Sequence, residues 1–295
     1  MKSRRQLVGL LLILSLFIVS CSSSNSSNTT PQASANYIEN KGSDTIVNLA
    51  LAWAEEYQKE NPNVRISVTG GGSGTGIAAL INGTVDIANA SRQIKPEEEQ
   101  QAKSKGIDPV EFVIARDAIA VIVNPENPVS QLSLPQLSDI YSGKINNWKE
   151  VGGEDRPIVR LSRETNSGTH VYFLETVLRL GDENNKTLFS MDTLLLPSSE
   201  GIVYEVRQNP NAIGYDGLGY VPPDLKMIGV SKAQAGPYIL PSAETVNNGT
   251  YPIARDLYMY TAGQPTGIVK TYLDWILSPA AQQIVTQLGF VPVKK

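Results

Sequence analysis

Hydrophobic and polar positions follow three successive regimes along the chain. Leu7 to Val19 is an apolar run of 13 residues, interrupted by Ser15, behind Lys2, Arg4 and Arg5. It is short for a membrane span and suits the apolar core of a secretion signal, so residues 1–20 are expected to be a signal peptide. Ser22 to Asn36 then carries no charge and almost no apolar side chain. Such a segment cannot bury enough surface to fold, and residues 21–36 read as a flexible tether. From Tyr37 onward, segments of helical period alternate with segments of strand period. Ile46, Leu49, Ala50, Trp53 and Tyr57 recur at helical spacing, and Asn61-Pro62 ends that helix. Val64 to Thr69 alternates as a strand.

The alternation continues through the chain. Gly70 to Gly76 predicts a glycine-rich turn, followed by a short helix from Ile77. Asp86 to Ala88 predicts a brief strand, and Pro96 to Lys105 a charged surface helix. Further on come a Pro135–Tyr141 helix, an Ile158–Leu161 strand, and helices over Gly168–Leu180 and Ile202–Gln208. Ile268, Tyr272, Leu273 and Ile276 line one face of a late helix, and Ser278-Pro279 opens the last one. Strands alternating with helices predict an α/β fold with largely parallel sheets. Two strand-like segments are near copies: Ala115-Arg116-Asp117 and Ala254-Arg255-Asp256. Either two buried strands resemble one another by chance, or they are paired hinge strands between two lobes.

Composition narrows the function. The chain has 25 basic and 29 acidic residues, and three of the cations lie in the leader. The remainder is acidic, which argues against nucleic acid as a partner. A small anion is not excluded, because anion sites are built from local dipoles. Cys21 is the only cysteine, so no disulfide can form within the chain. It follows Ile18-Val19-Ser20 at the end of the apolar run, a sequence that resembles a bacterial lipobox, and a lipid on Cys21 is therefore expected. With His170 as the only histidine, neither a metal nor another cofactor is expected.

Three segments place Gly, Ser and Thr immediately before a predicted helix: Gly42-Ser43-Asp44-Thr45, Gly72-Ser73-Gly74-Thr75-Gly76 and Asn166-Ser167-Gly168-Thr169. A helix start offers unpaired N–H groups and the positive end of a dipole, and hydroxyls add donors. Each alone could be an ordinary cap. Arg163, four residues before Ser167, supplies a guanidinium suited to a tetrahedral oxyanion, unless it merely pairs with Glu164. Nucleotide sites fit less well. Gly74-Thr75-Gly76-Ile77-Ala78-Ala79 lacks the acid that a dinucleotide fingerprint needs further on, and Gly71 to Gly76 lacks the Lys-Ser/Thr of a P-loop. Ser167 and His170 are spaced as a nucleophile and its base could be, but no orienting acid is evident for a phosphate-ester hydrolase.

The run Arg163-x-x-x-Ser167-Gly168-Thr169 resembles the phosphate signature of the phosphate-binding proteins of bacterial Pst importers. Gly72-Ser73-Gly74 is similar to that family's serine loop, and Gly42 to Ile46 to its first ligand loop. Asp139 to Trp148 and Tyr251 to Arg255 match further landmarks, so the resemblance runs from Tyr37 to Lys295. It implies a two-lobed periplasmic-binding-protein fold of type II, with residues 37–120 plus 257–295 in one lobe and 121–256 in the other. It also implies a non-enzymatic, extracytoplasmic, monomeric lipoprotein that closes on inorganic phosphate and delivers it to a permease with a cytoplasmic ATPase. The implied ligands are Ser43, Asp44, Thr45, Ser73, Gly74, Ser91, Arg92, Arg163, Ser167, Gly168 and Thr169. The sequence departs from the family at Ser91, where well-known members carry an Asp that accepts the proton of hydrogenphosphate. The family's acid two residues after the signature arginine is replaced by Thr165, with Glu164 adjacent. A carboxylate repels sulfate, so its loss keeps sulfate, molybdate or tungstate open as alternative ligands. Asp44 is the candidate replacement acceptor.

Overall fold

A computed structural model describes residues 36–293. The strands are β1 (Asn36–Gly42), β2 (Val64–Thr69), β3 (Ile87–Ala90), β4 (Val110–Val123), β5 (Gln131–Ser133), β6 (Val159–Arg163), β7 (Leu194–Leu196), β8 (Ala212–Gly217), β9 (Lys226–Met227), β10 (Gly229–Ser231) and β11 (Ala254–Thr261). The helices are α1 (Asp44–Glu60), α2 (Ser73–Ile81), α3 (Pro96–Ser104), α4 (Leu134–Tyr141), α5 (Gly168–Phe173), α6 (Ser199–Gln208), α7 (Ala243–Asn247), α8 (Gly267–Ile276) and α9 (Pro279–Gln287). Cys21 and the signal sequence lie outside the described residues. β1 begins at Asn36, the last residue assigned to the tether.

The main sheet runs β2-β1-β3-β11-β4-β8-β6-β7. β1 is parallel to β2 and β3, and β6 is parallel to β7 and β8. The antiparallel pairings all involve the two central strands: β11 with β3 and β4, and β4 with β8 and β9. β4 is long enough to serve both halves of the sheet. Its early residues Ile114 and Ala115 pack in one core with Ile38, Leu49, Trp53 and Ile276, under α1, α8 and α9. Its later residues Ile119, Val121 and Val123 pack in another with Leu137, Trp148, Phe173 and Tyr215. Two of the cores therefore meet within β4, whose Ala120 and Ile122 enter a third with Leu161, Ile202 and Val206.

The duplicated segments explain each other. β11 and β4 pair with Arg255 opposite Asp117 and Asp256 opposite Arg116. Read in opposite directions, two Ala-Arg-Asp runs put an arginine across from an aspartate twice. Because side chains alternate across a strand, the two pairs lie on opposite faces. The inner pair is buried, with Arg255 Nη2 at 3.0 Å from Asp117 Oδ2. The outer pair, Arg116 with Asp256, is partly exposed at 3.5 Å. A bulge follows between Leu257 and Tyr258.

Two expectations are corrected. The glycine-rich stretch is not all turn, since α2 starts at Ser73. Likewise Asp44 and Thr45 form the first turn of α1 rather than preceding it, while α5 opens at Gly168 as expected. The helix expected over Gly168–Leu180 is α-helical only to Phe173 and then widens to a π turn over Leu174–Leu178. The wider turn keeps both Phe173 and Leu178, five residues apart, in the buried core.

Candidate functional site

The starts of α1, α2 and α5 converge. α1 and α2 belong to the first half of the sheet and α5 to the second, so the meeting point lies between the halves. Thr45 Oγ1 on α1 is 2.8 Å from Thr169 Oγ1 on α5. Ser43 Oγ donates to Ser91 Oγ at 2.9 Å. Ser73 Oγ accepts from the Ser91 amide at 3.0 Å and lies 3.3 Å from the Ser91 hydroxyl. Ser167 Oγ accepts from the Thr169 amide at 3.2 Å, and the Gly74 amide donates across to Asn166 O at 3.0 Å. These hydroxyls are all buried. Gly168 is required by contact: a Cβ there would stand 2.3 Å from Ser73 Oγ and 2.6 Å from Ser91 Oγ.

The helix starts keep donors available. The caps of α1 and α2, Ser43 and Gly72, make no side-chain cap bond. Their first-turn N–H groups and the dipoles behind them therefore favour negative charge at the cluster.

Arg163, the last residue of β6, is fully buried at the cluster's flank. It donates to Asp44 Oδ2 at 2.8 Å, Ser199 Oγ at 2.9 Å, and the carbonyls of Pro197 and Leu196 at 2.8 and 3.3 Å. Asp216 lies 3.6 Å away. Its ion partners are thus Asp44 and Asp216 rather than Glu164. Asp44 bonds across the halves and does not cap α1, because its second oxygen accepts from the Gly71 amide at 2.8 Å. Arg92 is turned to Glu98 in a paired interaction at 2.7 Å on both arms, close to Gly74 but committed to that carboxylate.

Sequence reasoning left four charged or polar groups out. Arg255 donates to Thr169 Oγ1 at 3.0 Å, to Thr45 Oγ1 at 3.4 Å and to Ser91 O at 2.8 Å, while pairing with Asp117. Asp216 and Ser199 back Arg163. The signal for the first pair was the duplicated Ala-Arg-Asp run, which shows its meaning only once the strands are paired. Ser199 and Asp216 had no local signal. Burial pushes the Asp117 carboxyl up to about 6, with the Arg255 charge opposing. Burial likewise raises Asp216, with Arg163 opposing.

The arrangement presents hydroxyls, helix-start amides and two guanidinium groups already paired with carboxylates. It suits an oxyanion held by oriented dipoles. It does not form a nucleophile and base: His170 Nδ1 pairs with Ser162 Oγ at 3.0 Å, not with Ser167. Burial also lowers the His170 imidazole to about 4. Among the described residues no cluster of His, Cys, Asp or Glu could hold a metal ion.

Known proteins share this plan. The family model for a PBP superfamily domain matches residues 27–280. The phosphate-binding protein PstS of Pseudomonas aeruginosa is 33% identical over 269 residues, covering 85% of this chain and 81% of that protein. The phosphate-binding protein PstS of Bacillus subtilis is 34% identical over 257 residues, covering 85% and 79%. Among solved structures, a Clostridium perfringens protein described as a phosphate ABC transporter substrate-binding protein, with bound phosphate, aligns with a TM-score of 0.78 at 35% identity. The alignment covers 88% of this chain and all of that one. These matches, with the sheet order and the convergent helix starts, place the chain in the PBP superfamily as a member of the PstS phosphate-binding protein family.

Proposed function

We propose that this protein captures inorganic phosphate between its two lobes, outside the cytoplasm, and delivers it to the membrane permease of an ABC importer driven by a cytoplasmic ATPase. The observation that carries the reading is the convergence of three helix starts and their hydroxyls from both halves of the sheet on one buried point. The relatives named for phosphate binding, and the Clostridium perfringens neighbour solved with bound phosphate, support the ligand. The protein is a binding protein and not an enzyme. The reading as a receptor for sulfate, molybdate or tungstate is not favoured by these relatives.

In this reading the moving bodies are residues 37–120 plus 257–295 and residues 121–256. The ligand is held by Ser43, Thr45, Ser73, Gly74 and Ser91 from the first, and by Arg163, Ser167, Gly168 and Thr169 from the second. Arg92 adds a cation beside Gly74, held there by Glu98. Asp44 takes the proton of hydrogenphosphate in place of the Asp that Ser91 replaces. Its position beside Thr45 in the first turn of α1 supports this, as does a side chain that keeps 18% of its surface exposed while Asp117 and Asp216 are sealed. A lipid on Cys21 and the tether behind it hold a monomer to the membrane surface. Among the described residues no helix is long and apolar enough to cross a membrane.

An anion that touches both lobes stabilises the closed arrangement, because only that arrangement makes every contact. Solution scattering tests this. Phosphate should reduce the radius of gyration, and an unchanged radius at saturating phosphate would place both ligand sets on one rigid body.

A further inference from the structure

The inner Arg255–Asp117 pair faces the anion site from the crossover strands, and nothing in the signature motif explains it. We propose that Arg255, held in place by Asp117, is a positioning residue that fixes the hydrogen-bonded Thr45–Thr169 hydroxyl pair as a proton donor toward the bound anion. The inference rests on the phosphate-capture reading of the same site.

A guanidinium can donate hydrogen bonds but cannot accept them. Arg255 Nη2 reaches Thr169 Oγ1 at 3.0 Å and Thr45 Oγ1 at 3.4 Å. A hydroxyl that accepts from arginine keeps its own proton to give elsewhere. The two threonine oxygens lie 2.8 Å apart, one from each half, so one hydroxyl donates to the other and the pair keeps one proton to give; a single cation sets the polarity of this contact. Ser167 is polarised in the same sense, since its oxygen accepts from the Thr169 amide. Arg255 Nη1 also donates to Ser91 O at 2.8 Å and so anchors the loop that carries the departed family position.

Arg255 has little freedom to do otherwise. Asp117 accepts from Nη2 at 3.0 Å and from Nε at 3.4 Å, and both side chains are almost fully buried. The Tyr172 ring lies 5.6 Å from the guanidinium carbon, within cation–π range, and its hydroxyl is tied to Ala254 O. The consequence is a division of labour. The threonine pair and Ser167 supply protons, which suits any tetrahedral oxyanion. Discrimination for the protonated one must come from a separate acceptor.

A double-mutant cycle separates positioning from support of the fold, because residues acting through one another are not additive. Inorganic phosphate would be titrated calorimetrically into the mature full chain as wild type, as T169V, as R255M/D117N and as the triple variant. Replacing both members of the ion pair leaves no unpaired buried charge. T169V and R255M/D117N should each weaken binding about tenfold or more, with the triple variant close to the weaker of the two. Wild-type affinity in R255M/D117N, or a triple variant whose loss is the product of the two, would overturn the proposal. If R255M/D117N does not fold, the same cycle with R255K decides, since lysine keeps the charge beside Asp117 but cannot span both threonines. R255K should bind weakly and lose little more when combined with T169V, and wild-type binding by R255K would overturn the proposal. Failure of the wild type to bind phosphate would instead refute the capture reading itself.

Discussion

Adding one methyl group at Gly168 should separate folding from ligand capture. The new Cβ would lie 2.3 Å from Ser73 Oγ, 2.6 Å from Ser91 Oγ and 3.0 Å from Ser73 Cβ. Both serines are fully buried and bonded to each other, so neither hydroxyl can simply swing aside. Overpacking of this kind costs about 1–3 kcal/mol. The clash falls between the halves, not inside either core, so a small parting of the lobes relieves it and the cost appears in the closed state alone. At 1.4 kcal/mol per factor of ten, Gly168→Ala should weaken phosphate binding roughly fivefold to a hundredfold. Gly168 opens α5 without a left-handed backbone angle, so alanine suits the helix and thermal stability without phosphate should hold or rise slightly. The assay is calorimetric titration with phosphate beside a melting curve of each protein. Undiminished affinity in Gly168→Ala would refute the claim that Gly168 closes onto Ser73 and Ser91 around the ligand.

Three further outcomes are expected. Asp44→Asn should keep the bond from the Gly71 amide but lose the ion pair with Arg163, lowering phosphate affinity about tenfold and letting sulfate compete; an unaltered phosphate-to-sulfate preference would remove Asp44 from selectivity. His170 has its folded-state pKa lowered to about 4 from 6.5, so its contribution is complete above pH 6.5 and is lost as pH falls toward 4. That amounts to roughly 3 kcal/mol. Asp117, raised to about 6 from 3.8, works in the opposite sense, since its contribution is complete below pH 3.8 and declines as pH rises to about 6. Melting temperature followed from pH 7 to 4 should therefore fall less steeply in His170→Gln than in the wild type, and equal slopes would contradict the assignment. Cys21→Ser should move the protein from the membrane fraction to the soluble one, and continued sedimentation after a high-salt wash would exclude lipid anchoring there.

The sequence made the local elements and the separate pieces of the site readable, because both depend on short-range chemistry. Helical spacing from Ile46 to Tyr57 and strand alternation from Val64 to Thr69 correspond to α1 and β2. Gly, Ser and Thr at three helix starts gave the hydroxyl cluster, because a residue type that suits a helix start also suits an anion. Pairing in three dimensions was hidden. Arg255 and Asp117 are 138 residues apart and become partners only through the β11–β4 register. Arg163 carries its most plausible local partner, Glu164, beside it, yet bonds to Asp44 and approaches Asp216, because the strand end turns its side chain inward. The π turn after Phe173 was also unreadable, since a five-residue step leaves no mark in a pattern of apolar residues that already supports a helix.

Capture of phosphate at the convergent helix starts can be measured by equilibrium binding of labelled phosphate to the mature protein in competition with sulfate, molybdate and tungstate. Binding should saturate at one phosphate per chain, displaced by unlabelled phosphate at equal concentration and by the other oxyanions only in large excess. Absence of saturable binding, or displacement by sulfate or molybdate as readily as by phosphate, would contradict it.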